Sequence, residues 1–272
     1  AQPDGQVRTT REIAETIVTK RGRRNHAIAI ALSLQTPEAV LPLDPYLLGI
    51  WLGDGTECNG SITSADEEVW QSFRDGGFVL GKLRIKEGNK AVSRFALGFQ
   101  TILKNMGVRG KKHIPQSYLR ASQDQRLALM QGLMDTDGTA GENGRLEFTT
   151  TSIALADGIY ELAASLGFKV SRSEGNATLN GRIISRKYRI GWTTTQPMFR
   201  LKRKAVREKT RVRRTTKFRY IVSCERLPDA VLMRCITVDS PSRLYLAGKA
   251  MIPTHNTYYL LMEAMRNLHN PK

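Results

Sequence analysis

The sequence predicts a mixed α/β (α+β) fold of two similar halves, followed by a smaller β segment. Three observations carry that prediction. A glycine-spaced apolar helix ending in Asp-Gly occurs twice, at Leu47–Gly55 and at Met130–Gly138. Each copy is followed by the same alternation of strand and helix signals. The two terminal aspartates, Asp54 and Asp137, stand 83 residues apart, a reasonable length for one half of such a fold.

In the second copy, Gly132 and Thr136 lie four residues apart and share one helix face, which lets another backbone approach closely. Gly49 and Gly53 repeat that spacing in the first copy. Gly138 is expected to stop its helix in the left-handed conformation. Asp137, with Asp135 close by, puts a carboxylate at the negative end of the helix dipole. That placement costs about 0.3–1 kcal/mol unless a cation is supplied, and a divalent metal is one such cation. A single Asp-Gly ending is a common helix stop. Two in matching contexts can pack together and bring two carboxylates to one point. The pair resembles the twin motifs of LAGLIDADG homing endonucleases.

Composition agrees with that direction. The 272 residues can hold one large domain or two smaller ones, and 40% apolar content suffices for a core. A formal charge of +17 points to a polyanionic partner, above all nucleic acid. Cys58, Cys224 and Cys235 show no metal-binding spacing and are odd in number, which fits a reduced cytoplasmic setting in a bacterial or phage-infected cell. No run of 18 apolar residues and no signal-peptide pattern exists, so no membrane association is expected.

Residues 1–44 read as a linker that would join an N-terminal splicing half to the rest. Thr10 is expected to cap a helix from Arg11 to about Lys20, Arg21–Arg24 forms a basic turn, and Pro37, Pro42 and Pro45 punctuate the linker. Residues 45–218 form the repeated domain, with halves at about 45–118 and 119–218. In the first half the motif is followed by a strand at Gly60–Ser64, a helix at about Ala65–Phe73, and extended stretches at Phe78–Ile85 and Phe95–Phe99. In the second, a strand at Arg145–Thr150, a helix at about Ile153–Leu166, and extended stretches at Phe168–Ser173 and Tyr188–Trp192 follow.

Residues 182–219 carry fifteen Lys and Arg residues and one acid, Glu208. Alternation through Arg186, Lys187, Tyr188, Arg189 and Ile190 would turn a charged strand face to DNA, where each phosphate neutralised releases counterion. Arg182, Arg186, Lys187, Arg189, Lys202 and Arg203 are the expected DNA contacts.

The C-terminal block, 219–256, supplies a second chemistry. Strands are expected around a turn at Asp239–Arg243, then from Leu244 to Ile252, before His255-Asn256-Thr257. An Asn amide can attack its own main-chain carbonyl and cut the chain after itself, a neighbouring His can assist, and a following Thr hydroxyl can accept an acyl group. Preceded by Cys235–Asp239 and Tyr245–Gly248, this ending resembles the C-terminal splicing motifs of an intein.

The two resemblances together imply the C-terminal portion of an intein, possibly split, carrying a LAGLIDADG homing endonuclease. The implied fold is two pseudo-twofold αββαββα halves plus the C-terminal part of an all-β Hint splicing domain. Asp54 and Asp137, with Gly53 and Thr136, would hold Mg²⁺ for double-strand DNA cleavage. Lys112, two residues before Ile114-Pro115, and Lys204, with Lys202 as its alternative, match the family's active-site lysines. Asn256 would cyclise, His255 assist and Thr257 begin the C-extein (257–272), with Asp239 at the acidic upstream position and no cofactor needed for splicing. Arg243 stands where many inteins have His, and Ala1 is not a splicing nucleophile, so an N-terminal intein half is an expected partner. The host is expected to be a P-loop ATPase such as a phage terminase, the target a long, nearly symmetric DNA site, and the endonuclease a monomer. The alternative is a splicing module whose endonuclease domain binds DNA but is catalytically inactive; a pure splicing element with a scaffolding middle domain is the third reading.

Overall fold

A computed structural model describes residues 8–82, 84–85, 92–209, 214–226, 228–229, 236 and 238–255. The chain divides into two compact units, one of residues 32–216 and one joining the residues up to 31 with those from 217 onward.

The larger unit is organised on two helices. Helix α2 (Pro45–Asp54) starts at Asp44, whose carboxylate accepts from Leu47 N–H at 3.1 Å, with Pro45 at the first helical position. Every residue from Pro45 to Leu52 is buried, so this is a helix enclosed on all sides. Helix α6 (Gln123–Asp137) opens with a capping box between Ser122 and Gln125. The two pack at backbone distance. A Cβ on Gly49 would lie 2.9 Å from the Cα of Gly132, and one on Gly53 would lie 2.6 Å from the Cβ of Thr136. The spacing of small residues thus has the consequence expected of it.

Around α2 stand β2 (Ile62–Ser64), α3 (Glu67–Asp75), β3 (Arg84–Ile85), β4 (Val92–Arg94), α4 (Phe99–Asn105) and α5 (Gln116–Leu119), with the three strands in the antiparallel order β2-β4-β3. A single bridge, Gly55 to Ile62, leads from α2 into this sheet. Phe73, Phe78 and Phe99 meet edge to face with centroids 5.2–6.0 Å apart. Around α6 stand β5 (Gly138–Ala140), β6 (Leu146–Thr150), α7 (Ile153–Ser165), β7 (Ser171–Leu179), β8 (Arg182–Trp192) and α8 (Lys202–Ala205), with sheet order β5-β6-β8-β7. Leu146, Phe148, Tyr188, Ile190 and Trp192 are buried and α7 packs on this sheet. Arg126 is fully buried in the first turns of α6 and donates to the carbonyls of Ala121, Leu34 and Ser165. One guanidinium therefore ties the incoming chain to the end of α7.

In the smaller unit, α1 (Thr10–Glu15) precedes β1 (Ala27–Ala29), which pairs antiparallel with β9 (Phe218–Tyr220) after a 3₁₀ turn at Arg214–Lys217. Strands β10 (Leu244–Ala247) and β11 (Ile252–His255) form a hairpin.

Several sequence expectations are corrected. Helix α1 is capped by Thr9, because Glu12 at its third position completes a capping box there, and it ends at Glu15 because Val18 turns back to pair with Arg24. The extended stretch expected at Phe95–Phe99 holds only in its first part, where Ala96 bridges Leu80; Gly98 at φ +78° then starts α4. Leu244–Ile252 is not one strand, since Gly248 at φ +64° and Met251 at φ +50° reverse the chain. Gly138 is not left-handed. It leaves α6 extended at φ −76°, ψ 149°, and its lack of a Cβ matters because one would lie 2.6 Å from the carbonyl oxygen of Met134. No described helix is long and apolar enough to cross a membrane.

Candidate active site

Both motif helices expose their last carbonyls at the same end of the α2–α6 pair, and a lysine reaches each. The Lys112 ammonium donates to the carbonyl oxygens of Leu52, Gly53 and Gly55 at 3.0, 3.0 and 2.6 Å. The Lys204 ammonium donates to those of Met134, Thr136 and Gly138 at 3.0, 2.6 and 2.9 Å. All three protons of each ammonium are thereby used. Each lysine acts as a fixed positive charge on a helix C-terminus, which is where the dipole favours one. Lys202, the alternative, is exposed on α8 and Lys204 alone makes these contacts.

The carboxylates of Asp54 and Asp137 share this end. Burial, then the charge of Asp137, pushes the Asp54 carboxyl up to about 6, against the pull of Lys204 and then Lys112. Burial in the recess also raises Asp137, although its side chain reaches solvent, with Lys112 and then Lys204 opposing. Each aspartate therefore responds more to the lysine that caps the opposite helix. Burial lowers both lysines, and the neighbouring carboxylates hold them up. Two negative and two positive groups thus balance in a partly dry recess.

The lysines are held by unrelated devices. The main-chain N–H of Lys112 donates to Glu57 at 2.9 Å. Lys204 follows a loop anchored on Asp135, which is 1% exposed. That carboxylate accepts from the N–H groups of Arg200 and Leu201 at 3.1 Å and from the Tyr46 hydroxyl at 2.7 Å. The sequence assigns Asp135 no role of its own; its place on the packed side of α6, one turn after Gly132, is the available signal.

Among the described residues no cluster of three or more His, Cys, Asp or Glu side chains is present. A metal ion here would rest on the Asp54 and Asp137 carboxylates and water; the carbonyls of Gly53 and Thr136, expected beside them, are engaged by Lys112 and Lys204. An all-oxygen set of two anionic carboxylates and water fits a hard divalent cation such as Mg²⁺.

The expected DNA contacts fall into two groups. On β8, Arg182, Arg186 and Arg189 are exposed and Lys187 is half-buried; Lys187 and Arg189 lie on the face opposite Tyr188 and Ile190, with Arg189 3.7 Å from Glu147. Arg186 lies 3.6 Å from Glu174. On α8, Arg203 forks onto Asp66 at 2.6 and 2.7 Å. At the C-terminal end, Asp239 is exposed, the main chain of His255 pairs with Leu244, and Asn256 and Thr257 lie outside the described residues.

Residues 124–195 match the LAGLIDADG-like domain family. Within those residues the chain carries a LAGLIDADG-like domain. The match starts at the head of α6 and runs through β8, so it contains Asp137 but not the first motif, whose pairing with the second rests on the packing of α2. Two relatives extend the picture. A replicative DNA helicase DnaB of Mycobacterium intracellulare is 38% identical over 257 residues, covering 92% of this chain and 42% of that protein. A homothallic switching endonuclease of Saccharomyces cerevisiae is 25% identical over 193 residues, covering 56% of this chain and 33% of that protein. The chain thus spans less than half the length of either relative. The resemblance to an intein with a LAGLIDADG domain holds: the domain is matched directly, and a long match inside a helicase fits an element inserted in such a host. A terminase is not among these relatives.

Proposed function

We propose that the LAGLIDADG domain is a site-specific endonuclease that cuts both strands of a long, nearly symmetric DNA site, and that the chain is the C-terminal portion of an intein hosted by a replicative helicase. The observation that carries the nuclease reading is the convergence of Asp54, Asp137, Lys112 and Lys204 at one end of the α2–α6 pair. Two halves related by a pseudo-twofold would place one carboxylate and one lysine near each scissile phosphate, with the domain acting as a monomer. Asp54 and Asp137 would hold Mg²⁺ with water, the carbonyls of Gly53 and Thr136 being engaged by Lys112 and Lys204; when bound, the ion supplies water activation and charge neutralisation. The lysines keep the helix-end carbonyls in place and offset the phosphate charge. The open face of the β5-β6-β8-β7 sheet, with Lys187 and Arg189, would lie against the duplex, phosphate contacts setting register and side chains reading base edges.

The splicing assignment is supported by the smaller unit. Among its described residues Met251 alone is a buried apolar side chain, whereas Val18, Ile28, Tyr220, Val222, Leu244 and Leu246 are exposed. Strands of an N-terminal splicing half would cover them and complete a Hint domain. His255, Asn256 and Thr257 would then carry out cyclisation and transfer, with Asp239 upstream, in a bacterial or phage-infected cytoplasm.

Incubating the chain with Mg²⁺ and a plasmid carrying the uninterrupted helicase gene tests the nuclease. Linear product supports it; intact plasmid in a retarded complex supports the inactive, DNA-binding alternative instead. For splicing, the chain is mixed with the N-terminal half: ligated extein is expected, and normal release by Asn256→Ala would defeat the assignment.

A further inference from the structure

We propose that Asp66 and Arg203 form a latch between the two halves of the nuclease unit, which positions Lys204 at the end of α6. The inference rests on the nuclease reading and adds to it two residues that act through Lys204; Arg203, expected from sequence as a DNA contact, is on this proposal given to Asp66 instead.

Arg203 Nε and Nη2 meet the two carboxylate oxygens of Asp66 at 2.6 and 2.7 Å, across 137 residues of sequence. The Asp66 side chain is only 16% exposed. A forked guanidinium–carboxylate pair of this kind fixes orientation as well as distance, unlike an ordinary surface pair.

Asp66 is placed for this work in an unusual way. It occupies the N-cap of α3, where a carboxylate normally accepts from the first-turn N–H groups, yet it makes no capping bond. Its oxygens go to Arg203 instead. Its own N–H is held by the Ser64 hydroxyl at 3.1 Å, at the end of β2, so the latch is rooted in the first-half sheet.

Helix α8 needs such a hold. It is a single turn carrying three consecutive cations, Lys202, Arg203 and Lys204, with no side-chain cap and no buried residue. Packing of its own does not fix it, and its cations repel one another. Asp135 secures the residues just before it, Arg200 and Leu201. The Asp66 carboxylate secures the helix itself and neutralises the cation adjacent to Lys204. Lys112 is held separately, by Glu57. Loss of the latch should therefore disturb one lysine and leave the other.

Two readouts test this. In a plasmid assay that resolves nicked from linear DNA, Asp66→Asn and Arg203→Gln should each slow cleavage of one strand tenfold or more, with the other strand and the Kd for DNA within twofold, so that nicked circles accumulate. Lys112→Met should slow the opposite strand. The exchanged pair, Asp66→Arg with Arg203→Asp, should recover part of the lost rate. Equal slowing of both strands, no slowing, or a rate loss matched by lost DNA affinity would overturn the latch; the last would make Arg203 a DNA contact. If the unaltered protein does not cut, the nuclease reading fails, and acylation of lysine amines read by mass spectrometry still decides the latch. Asp66→Asn should raise labelling at Lys204 several-fold and leave Lys112 unchanged. Equal labelling at both lysines, raised or not, would contradict it.

Discussion

A methyl group on Gly49 would lie 2.9 Å from the Cα of Gly132. Neither that Cα nor the Leu133 N–H, also 2.9 Å away, is the movable end of a side chain. Both belong to helix backbone, so the distance between α2 and α6, and with it the distance between Asp54 and Asp137, is set by the absence of two Cβ atoms. Gly132→Ala would press on the Tyr46 carbonyl and the Ile50 N–H as well. The substitution should destabilise the domain by about 1–3 kcal/mol, the range for overpacking a close-packed interior. Urea unfolding measures it. An unchanged midpoint would show that the helices can separate freely.

The raised Asp54 carboxyl makes a pH prediction for the metal-free protein. Its value of about 6 lies above the usual 3.9 of an unfolded aspartate. Between about pH 4 and 6 the folded chain keeps a proton that the unfolded chain has lost. Stability falls as pH rises through that window. In chelator, Asp54→Asn should therefore raise the unfolding midpoint at pH 7.5, and the gain should vanish near pH 4. An equal gain at both values would mean that Asp54 is not strained by its charge.

Lys204→Met removes the cation from three carbonyls at the end of α6. A loss of about 1 kcal/mol in stability is expected, because water replaces part of what the ammonium supplied. The cleavage rate should fall further, by about 10²-fold or more, as when one preorganised charge-stabilising group is deleted. Single-turnover cleavage at saturating protein reads this. A rate that falls no more than stability requires would take Lys204 out of the chemistry.

The parts of this site that were legible in sequence are those encoded by local spacing. Gly49, Gly53, Gly132 and Thr136 announce a close helix pair because the four-residue period puts them on one face. Asp54 and Asp137 follow from their helix-end position. Lys112 and Lys204 came from resemblance, and what the structure adds is their purpose at the helix ends. Glu57, Asp66 and Asp135 could not be read as partners, since each acts on a group 55 to 137 residues away and no periodicity encodes such a pairing. The mistaken left-handed Gly138 has a local cause. A glycine after a helix commonly marks a left-handed stop, but here the chain runs straight into β5, and the glycine serves the packing against Met134. The misread strand at 244–252 likewise hid a reversal at Gly248, because apolar residues continue on both sides of it.

On the proposed function, the paired aspartates at the α2–α6 end form a metal-dependent centre that cuts both strands of DNA. The most direct measurement is the single-turnover rate of double-strand cleavage at the uninterrupted helicase-gene site, with and without Mg²⁺, for the unaltered protein and Asp137→Asn. Linear product is expected only with Mg²⁺ and only from the unaltered protein, while Asp137→Asn still binds the site. Cleavage by Asp137→Asn at the unaltered rate, or intact DNA bound by the unaltered protein in Mg²⁺, would contradict the proposed function.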